Sequence, residues 1–195
     1  MLARVDKQPE KPLRKSRFSD ISFVRAAVAQ AVDETLGDQP DLAAAEKARY
    51  TPAHFRGLIS ADPAYVMVSE NAEGQRTGFM IAMPEQGALI SCWSYLLPEF
   101  RKGTHAVRAK KSFLAYWDHG RFHKVIAYTR PQNHVARTLM THCGYQERVL
   151  LEKHMFGTDF LLFEYPLTKT LSGYAPPPYM SRIGDLGLRL RAWLS

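Results

Sequence analysis

No run of apolar residues in this chain is long enough to cross a bilayer, which excludes a helical membrane span. Met1 opens a polar, charged segment without the apolar stretch of a secretory signal, so a cytoplasmic location is expected. Cysteine is scarce. Cys92 and Cys143 stand far apart, which excludes a disulfide framework and a cysteine-rich zinc site and points to two reduced thiols. His119 and His123 have helical spacing, but Gly120 breaks that helix and no third ligand accompanies them, so no metal is expected. Repeats and low-complexity tracts are also missing. The 195 residues suit one domain with extensions.

What is present in excess is positive charge, and it is unevenly placed. The net +7 divides into +4 over residues 1–18 and +3 over residues 169–195, with 16 basic and 16 acidic residues between. A neutral domain (19–168) with basic arms suits an acidic partner, including non-specific contact with nucleic acid through Arg14, Lys15 and Arg17, or else solvated tails. The C-terminal arm contains Pro176-Pro177-Pro178 and ends in Ile183, Leu186, Leu188, Leu190, Trp193 and Leu194 among three arginines. That amphipathic stretch is either a docking element or a segment packed back on its own domain.

Helical periodicity marks the first part of the domain. Ser19-Asp20 is an N-cap signal, followed by Ile21, Val24, Val28, Ala31 and Val32 on one face, with Gly37 after the end. Further helices are predicted from Pro40-Asp41 and from Thr51-Pro52. From Tyr65 the period becomes that of strands: 65–69, 76–83 and 88–97, joined by short turns at 71–74 and 84–87. Helix 104–118, strand 124–129 and helix 133–143 follow, then strands 149–155 and 160–165 around a turn at Gly157-Thr158-Asp159. Helices, an antiparallel meander and one βαβ crossover predict an α/β fold with a mixed, mostly antiparallel sheet flanked by helices.

The stretch from Leu96 to Tyr145 carries the functional signal. Pro98-Glu99-Phe100 closes a strand, and the loop Arg101-Lys102-Gly103-Thr104-His105-Ala106 opens a helix whose N-terminus favours anions. Arg101, Lys102, Arg108, Lys110 and Lys111 place five cations around that helix start, suited to phosphates or simply to solvent. Ala106, Ala109, Phe113, Leu114 and Trp117 form its core stripe. Beyond the next strand stands Asn133-x-x-Ala136-x-x-Leu139, with Gly144-Tyr145 after it. Asn133 also has a plain role as helix cap.

This order of parts resembles the acyl-CoA-binding half of the GCN5-related N-acetyltransferase (GNAT) superfamily, over about residues 19–167. Arg101 and Ala106 match the family's Gln/Arg-x-x-Gly-x-Gly/Ala loop, whereas Thr104 replaces its middle glycine and Gly103 lies one residue early. The resemblance implies acetyl-CoA, or another acyl-CoA, held by Leu96, Leu97, Arg101, Lys102, Gly103, Thr104, His105, Ala106 and Asn133. It implies transfer of the acyl group to an amine.

The same comparison reveals two departures. The family's proton-donating tyrosine falls at Met140, which has no proton to give. Strand 88–97 holds no Asp or Glu to serve as base. Tyr95, Tyr128 and His105 are the available substitutes, and neither cysteine is placed as a nucleophile. The alternative implied is a catalytically degenerate GNAT-fold protein used in assembly, as in bacteriophage virions, and docked through its arms.

Overall fold

The computed structural model describes residues 13–169. Three helices come first: α1 (Ile21–Leu36), α2 (Pro40–Arg49) and α3 (Pro52–Ala61). The apolar face of α1 is buried as its spacing predicts, with Val24, Val28, Ala31 and Val32 at 1% exposure or less. Thr51 caps α3 by accepting the His54 N–H at 3.1 Å, and Pro52 occupies the first helical position.

The strands β1 (Leu13–Lys15), β2 (Val66–Glu70), β3 (Arg76–Glu85), β4 (Ala88–Leu96), β5 (Lys124–Thr129), β6 (Gln146–Met155) and β7 (Thr158–Pro166) form one sheet. Its order is β1-β2-β3-β4-β5-β7-β6, and only β4 and β5 run parallel. Helix α4 (His105–Trp117) makes the crossover between them, and α5 (His134–His142) joins β5 to β6. One core lies between the sheet and α4–α5, the other between the sheet and α1–α3. The mixed sheet flanked by helices is thus the predicted class.

Two local readings change. The last turn is Phe156-Gly157, both at positive φ, because Met155 pairs directly with Thr158; residues 158 and 159 already belong to the strand. Residues 13–18, counted above with the basic arm, enter the fold through β1, which pairs antiparallel with β2. The C-terminal amphipathic stretch lies outside the described residues.

The first strand is fastened by charge. Asp20, 1% exposed, does not cap α1 with its carboxylate. It accepts instead from Arg14 at 2.7 Å and the Arg17 N–H at 2.8 Å and forms an ion pair with Arg76 at 3.2 Å, while Arg14 also reaches Glu70 at 2.7 Å. Lys15 lies over the Tyr116 ring, 5.2 Å from its centroid. Arg14 and Lys15, expected above to be free for an acidic partner, thus also have partners within the domain.

The sheet opens beside β4. Pairing between β4 and β5 covers only Ala88–Ser91 against Lys124–Ala127. Across the other edge, Ser91 faces Ala82 and Trp93 faces Ile81, so Cys92 is an extra residue. Such a bulge bends its strand and raises its twist. Beyond it Trp93 and Tyr95 pack toward α1–α3, while Ser94 faces α4. β3 stays close to this segment because Gly78 has no side chain. A Cβ there would stand 2.2 Å from the Tyr95 carbonyl oxygen.

Burial by itself would raise the Asp20 pKa, but the Arg14 and Arg17 hydrogen bonds and the charges of Arg14 and Arg76 hold it below the usual carboxylate value. Its contribution is present above the unfolded pKa and is lost as pH falls through the lower folded one. Asp20→Asn is expected to lower stability at neutral pH by about 2 kcal/mol, less than a fully buried pair because Arg14 can rehydrate. Denaturation at neutral pH should resolve the two proteins, and their stabilities should converge in strong acid.

Candidate functional site

The open edge of β4 runs straight into the loop before α4. Leu97 leaves the strand with its N–H on the Thr77 carbonyl at 2.9 Å, and Pro98–Phe100 makes a single 3₁₀ turn. Gly103 then adopts φ +82°, with nothing within 4 Å of where a Cβ would be. Thr104 stands at the helix start, exposed, and its hydroxyl makes no cap bond. The first-turn N–H groups of α4 have no acceptor within the helix. An anion approaching Gly103–Ala106 therefore meets backbone donors, a free hydroxyl and an open cradle.

The cations expected there are dispersed. Arg101 turns to the α1 side, where it donates to Glu34 at 2.6 Å and to the Leu96 carbonyl at 3.0 Å. Its guanidinium lies 4.9 Å from the Tyr95 ring centroid, and the Tyr95 hydroxyl donates to the same Glu34 carboxylate at 2.6 Å. Burial and the Glu34 hydrogen bond push the Tyr95 hydroxyl up to about 12. Lys110 turns inward and is 2% exposed. Lys102, Arg108 and Lys111 remain on the surface.

Lys110 occupies the fork where β4 leaves β5. Its ammonium donates to Ser94 Oγ at 3.1 Å and lies 3.4 Å from Ser91 Oγ. The Phe113 and Tyr145 ring centroids are each 5.8 Å away. Desolvation pulls its pKa down to about 8, partly opposed by Cys143. The Tyr145 hydroxyl is buried without a hydrogen-bond partner.

The other residues singled out above have structural partners. His105 Nε2 lies 3.1 Å from Thr77 Oγ1, which donates to Ser69 Oγ, so its ring ties α4 to β3. Asn133 accepts the Ala136 N–H at 3.0 Å and caps α5. Met140 is buried in the α4–α5 core. Tyr128 lies beside His154, the rings tilted at 35° with centroids 5.2 Å apart. Burial pushes the Cys92 thiol up to about 12 and raises that of Cys143, so neither is an activated nucleophile.

Carboxylates absent from β4 itself are supplied by the helices above it. Glu34 of α1 meets Tyr95, and Glu46 of α2 accepts the Trp93 indole N–H at 2.8 Å. No local spacing announces either residue, because each reaches β4 from more than forty positions upstream. The alternating Trp93 and Tyr95, each with a polar tip on an otherwise apolar face, were the available signal.

No protein-family model matches this sequence, and no curated protein matches it. Solved structures match in fold. Ard1 from Thermoplasma volcanium superposes with a TM-score of 0.64 at 16% identity, covering 80% of this chain and 97% of that one. Spermidine N-acetyltransferase from Vibrio cholerae, in complex with CoA and spermine, gives 0.63 at 16%, covering 80% and 95%. A GNAT superfamily phosphinothricin acetyltransferase from Sinorhizobium meliloti, in complex with AcCoA, gives 0.62 at 18%, covering 85% and 95%. At these identities the likeness establishes the fold, which is that of the GNAT acetyltransferases.

Because Glu34 holds Arg101 away from the loop, Glu34→Gln should release that cation. The variant is expected to bind inorganic pyrophosphate several-fold more tightly by calorimetry, with stability changed by less than about 1 kcal/mol. Unchanged affinity would mean that Arg101 stays on the Leu96 carbonyl.

Proposed function

We propose that this protein is an N-acyltransferase that takes an acyl group, acetyl foremost, from a coenzyme A thioester and delivers it to an amine. The observation that carries this reading is the continuous path from the open β4 edge to the Gly103 cradle. Among the described residues, the backbone of β4 past Ser91 has no strand partner on the β5 side, and its far end meets the open Gly103 loop, which suits a phosphate. One extended, phosphorylated arm would use both features at once.

The residues present fit such a molecule. Gly103 leaves room for the pyrophosphate, and Thr104, although larger than glycine, offers an unused hydroxyl. Lys102 and the first turn of α4 through Ala106 would complete the phosphate contacts, with His105 holding that turn against β3. Leu96 would present strand-edge backbone to the amide-bearing arm. The Leu97 amide already serves Thr77 and Asn133 already caps α5, so both act as framework. When bound, the thioester supplies an activated acyl carbon and a sulfur leaving group.

The opposite face of β4 suits an amine. Glu34 and Glu46 stand over Tyr95 and Trp93 there, offering negative charge and aromatic rings to a cation. Positioning an amine beside a thioester accounts for much of such a reaction's acceleration. Spermine, present in the Vibrio cholerae complex, makes polyamines the first acceptors to assay.

The alternative, a non-catalytic component of an assembly such as a virus particle, rests on Met140, an acid-free β4 and the long terminal arms. The two helix-borne carboxylates remove the second of those arguments. Its docking element, residues 169–195, lies almost wholly outside the described residues.

Acetyl-CoA at a hundred times its dissociation constant should stabilise the protein by about 2.7 kcal/mol, observed as a rise in melting temperature of several degrees. Gly103→Val should abolish that rise, since it adds both backbone strain and a Cβ in the cradle. A wild-type protein whose melting is indifferent to acetyl-CoA would refute the proposal.

A further inference from the structure

Lys110 is a buried cation that its surroundings do not explain. Among the described residues, the titratable groups facing it are Cys143 and Tyr145, and no carboxylate contributes to its electrostatics. Among the described residues, two serine hydroxyls from β4 and the faces of two rings make up its polar environment. Burying an ammonium on those terms is unfavourable, and an apolar side chain would fill the same space between α4 and the sheet more cheaply.

Its position supplies a reason. An extended arm lying along the free edge of β4 cannot pass Ser91, because from Ser91 back to Ala88 that edge is occupied by β5. The arm must end at the fork, and the Lys110 ammonium sits there, between Ser91 and Ser94. On the acyl-coenzyme reading, the fork is where the reactive end of the thioester would come to rest.

We infer that Lys110 is a catalytic residue, the proton donor to the coenzyme sulfur as it departs; this rests on the acyl-coenzyme reading above. The acceptor nitrogen uses its lone pair to form the C–N bond to the acyl carbon. The C–S bond breaks with its electron pair on sulfur. Lys110 Nζ gives that sulfur a proton and becomes a neutral amine, while the proton leaving the new amide nitrogen goes to water. Water then returns a proton to Lys110. A thiol ordinarily titrates near 8.5, so a lysine lowered to about 8 is matched to it in either direction. The group absent at Met140 on α5 is therefore supplied from α4, with the acceptor and its carboxylates on the other face of the strand.

The test uses free coenzyme A and needs no acceptor. Thiolate formation by bound coenzyme A is followed in the ultraviolet as pH is raised, with the acetyl-CoA complex of the same protein as blank. The blank removes the signals of Cys92, Cys143 and the tyrosines. In the wild-type protein the bound thiol should ionise about one pH unit or more below the free coenzyme. In Lys110→Met, which fills the site with an apolar chain of similar length, it should ionise at or above the free value. Lys110→Gln removes the charge but can still donate to Ser91 and Ser94, so it should lose the lowered ionisation as well, and it decides the matter if the methionine variant does not fold. If wild type and Lys110→Met both bind coenzyme A and their thiols ionise at the same pH, Lys110 does not touch the sulfur and the inference fails while the coenzyme reading stands. If the wild-type protein does not bind coenzyme A, the coenzyme reading itself fails and takes this role with it.

Discussion

Parallel strands exchange hydrogen bonds only while they remain in register, and β4 leaves register at Cys92. Everything of functional interest is arranged around that event. Before it, β4 is an ordinary central strand, paired on both edges and covered on both faces. After it, one edge has no strand partner among the described residues, and the strand delivers this edge to the loop that opens α4. The same bulge brings Cys92 and Trp93 to one face in succession, so Trp93 and Tyr95 look toward α1–α3 and Ser94 toward α4.

That division of faces also divides charge. On the helix-rich side, Glu34 and Glu46 approach the strand through Tyr95 and Trp93. On the other side, Lys110 approaches it through Ser91 and Ser94. Negative groups and a positive group are held apart by one layer of backbone, and neither neutralises the other. Arg101 lies on the first side, pinned to Glu34 and to the Leu96 carbonyl, and so limits how much acidic character that face presents. The arrangement is polarised across a strand about one residue thick, which suits chemistry in which a proton is lost on one side and gained on the other.

Much of this fold was legible in the residues. The apolar spacing of α1, the Thr51-Pro52 cap and the run of strands from Tyr65 are local properties, and the helices and strands follow them closely. The misplacements have specific causes. Residues 13–15 look like part of a solvated basic arm because the carboxylate that neutralises Arg14 is buried at a helix start. Lys110 looks like one of a surface cluster because Arg108 and Lys111 flank it. Yet position 110 lies four residues after Ala106 and three and four before Phe113 and Leu114, so helical spacing does set it in the core stripe. Residue type hid what spacing disclosed. The fork and the carboxylates over β4 depend on contacts between distant segments, and no local pattern encodes those.

One small feature governs more than its size suggests. Gly78 and the Tyr95 carbonyl stand so close that a single methyl group would force the two strands apart. β4 could yield only toward β5, into the gap that the bulge has opened. The aperture on one edge of this strand is therefore held at its width by the missing side chain on the other, and β3, which contributes no group to the site, acts as its spacer.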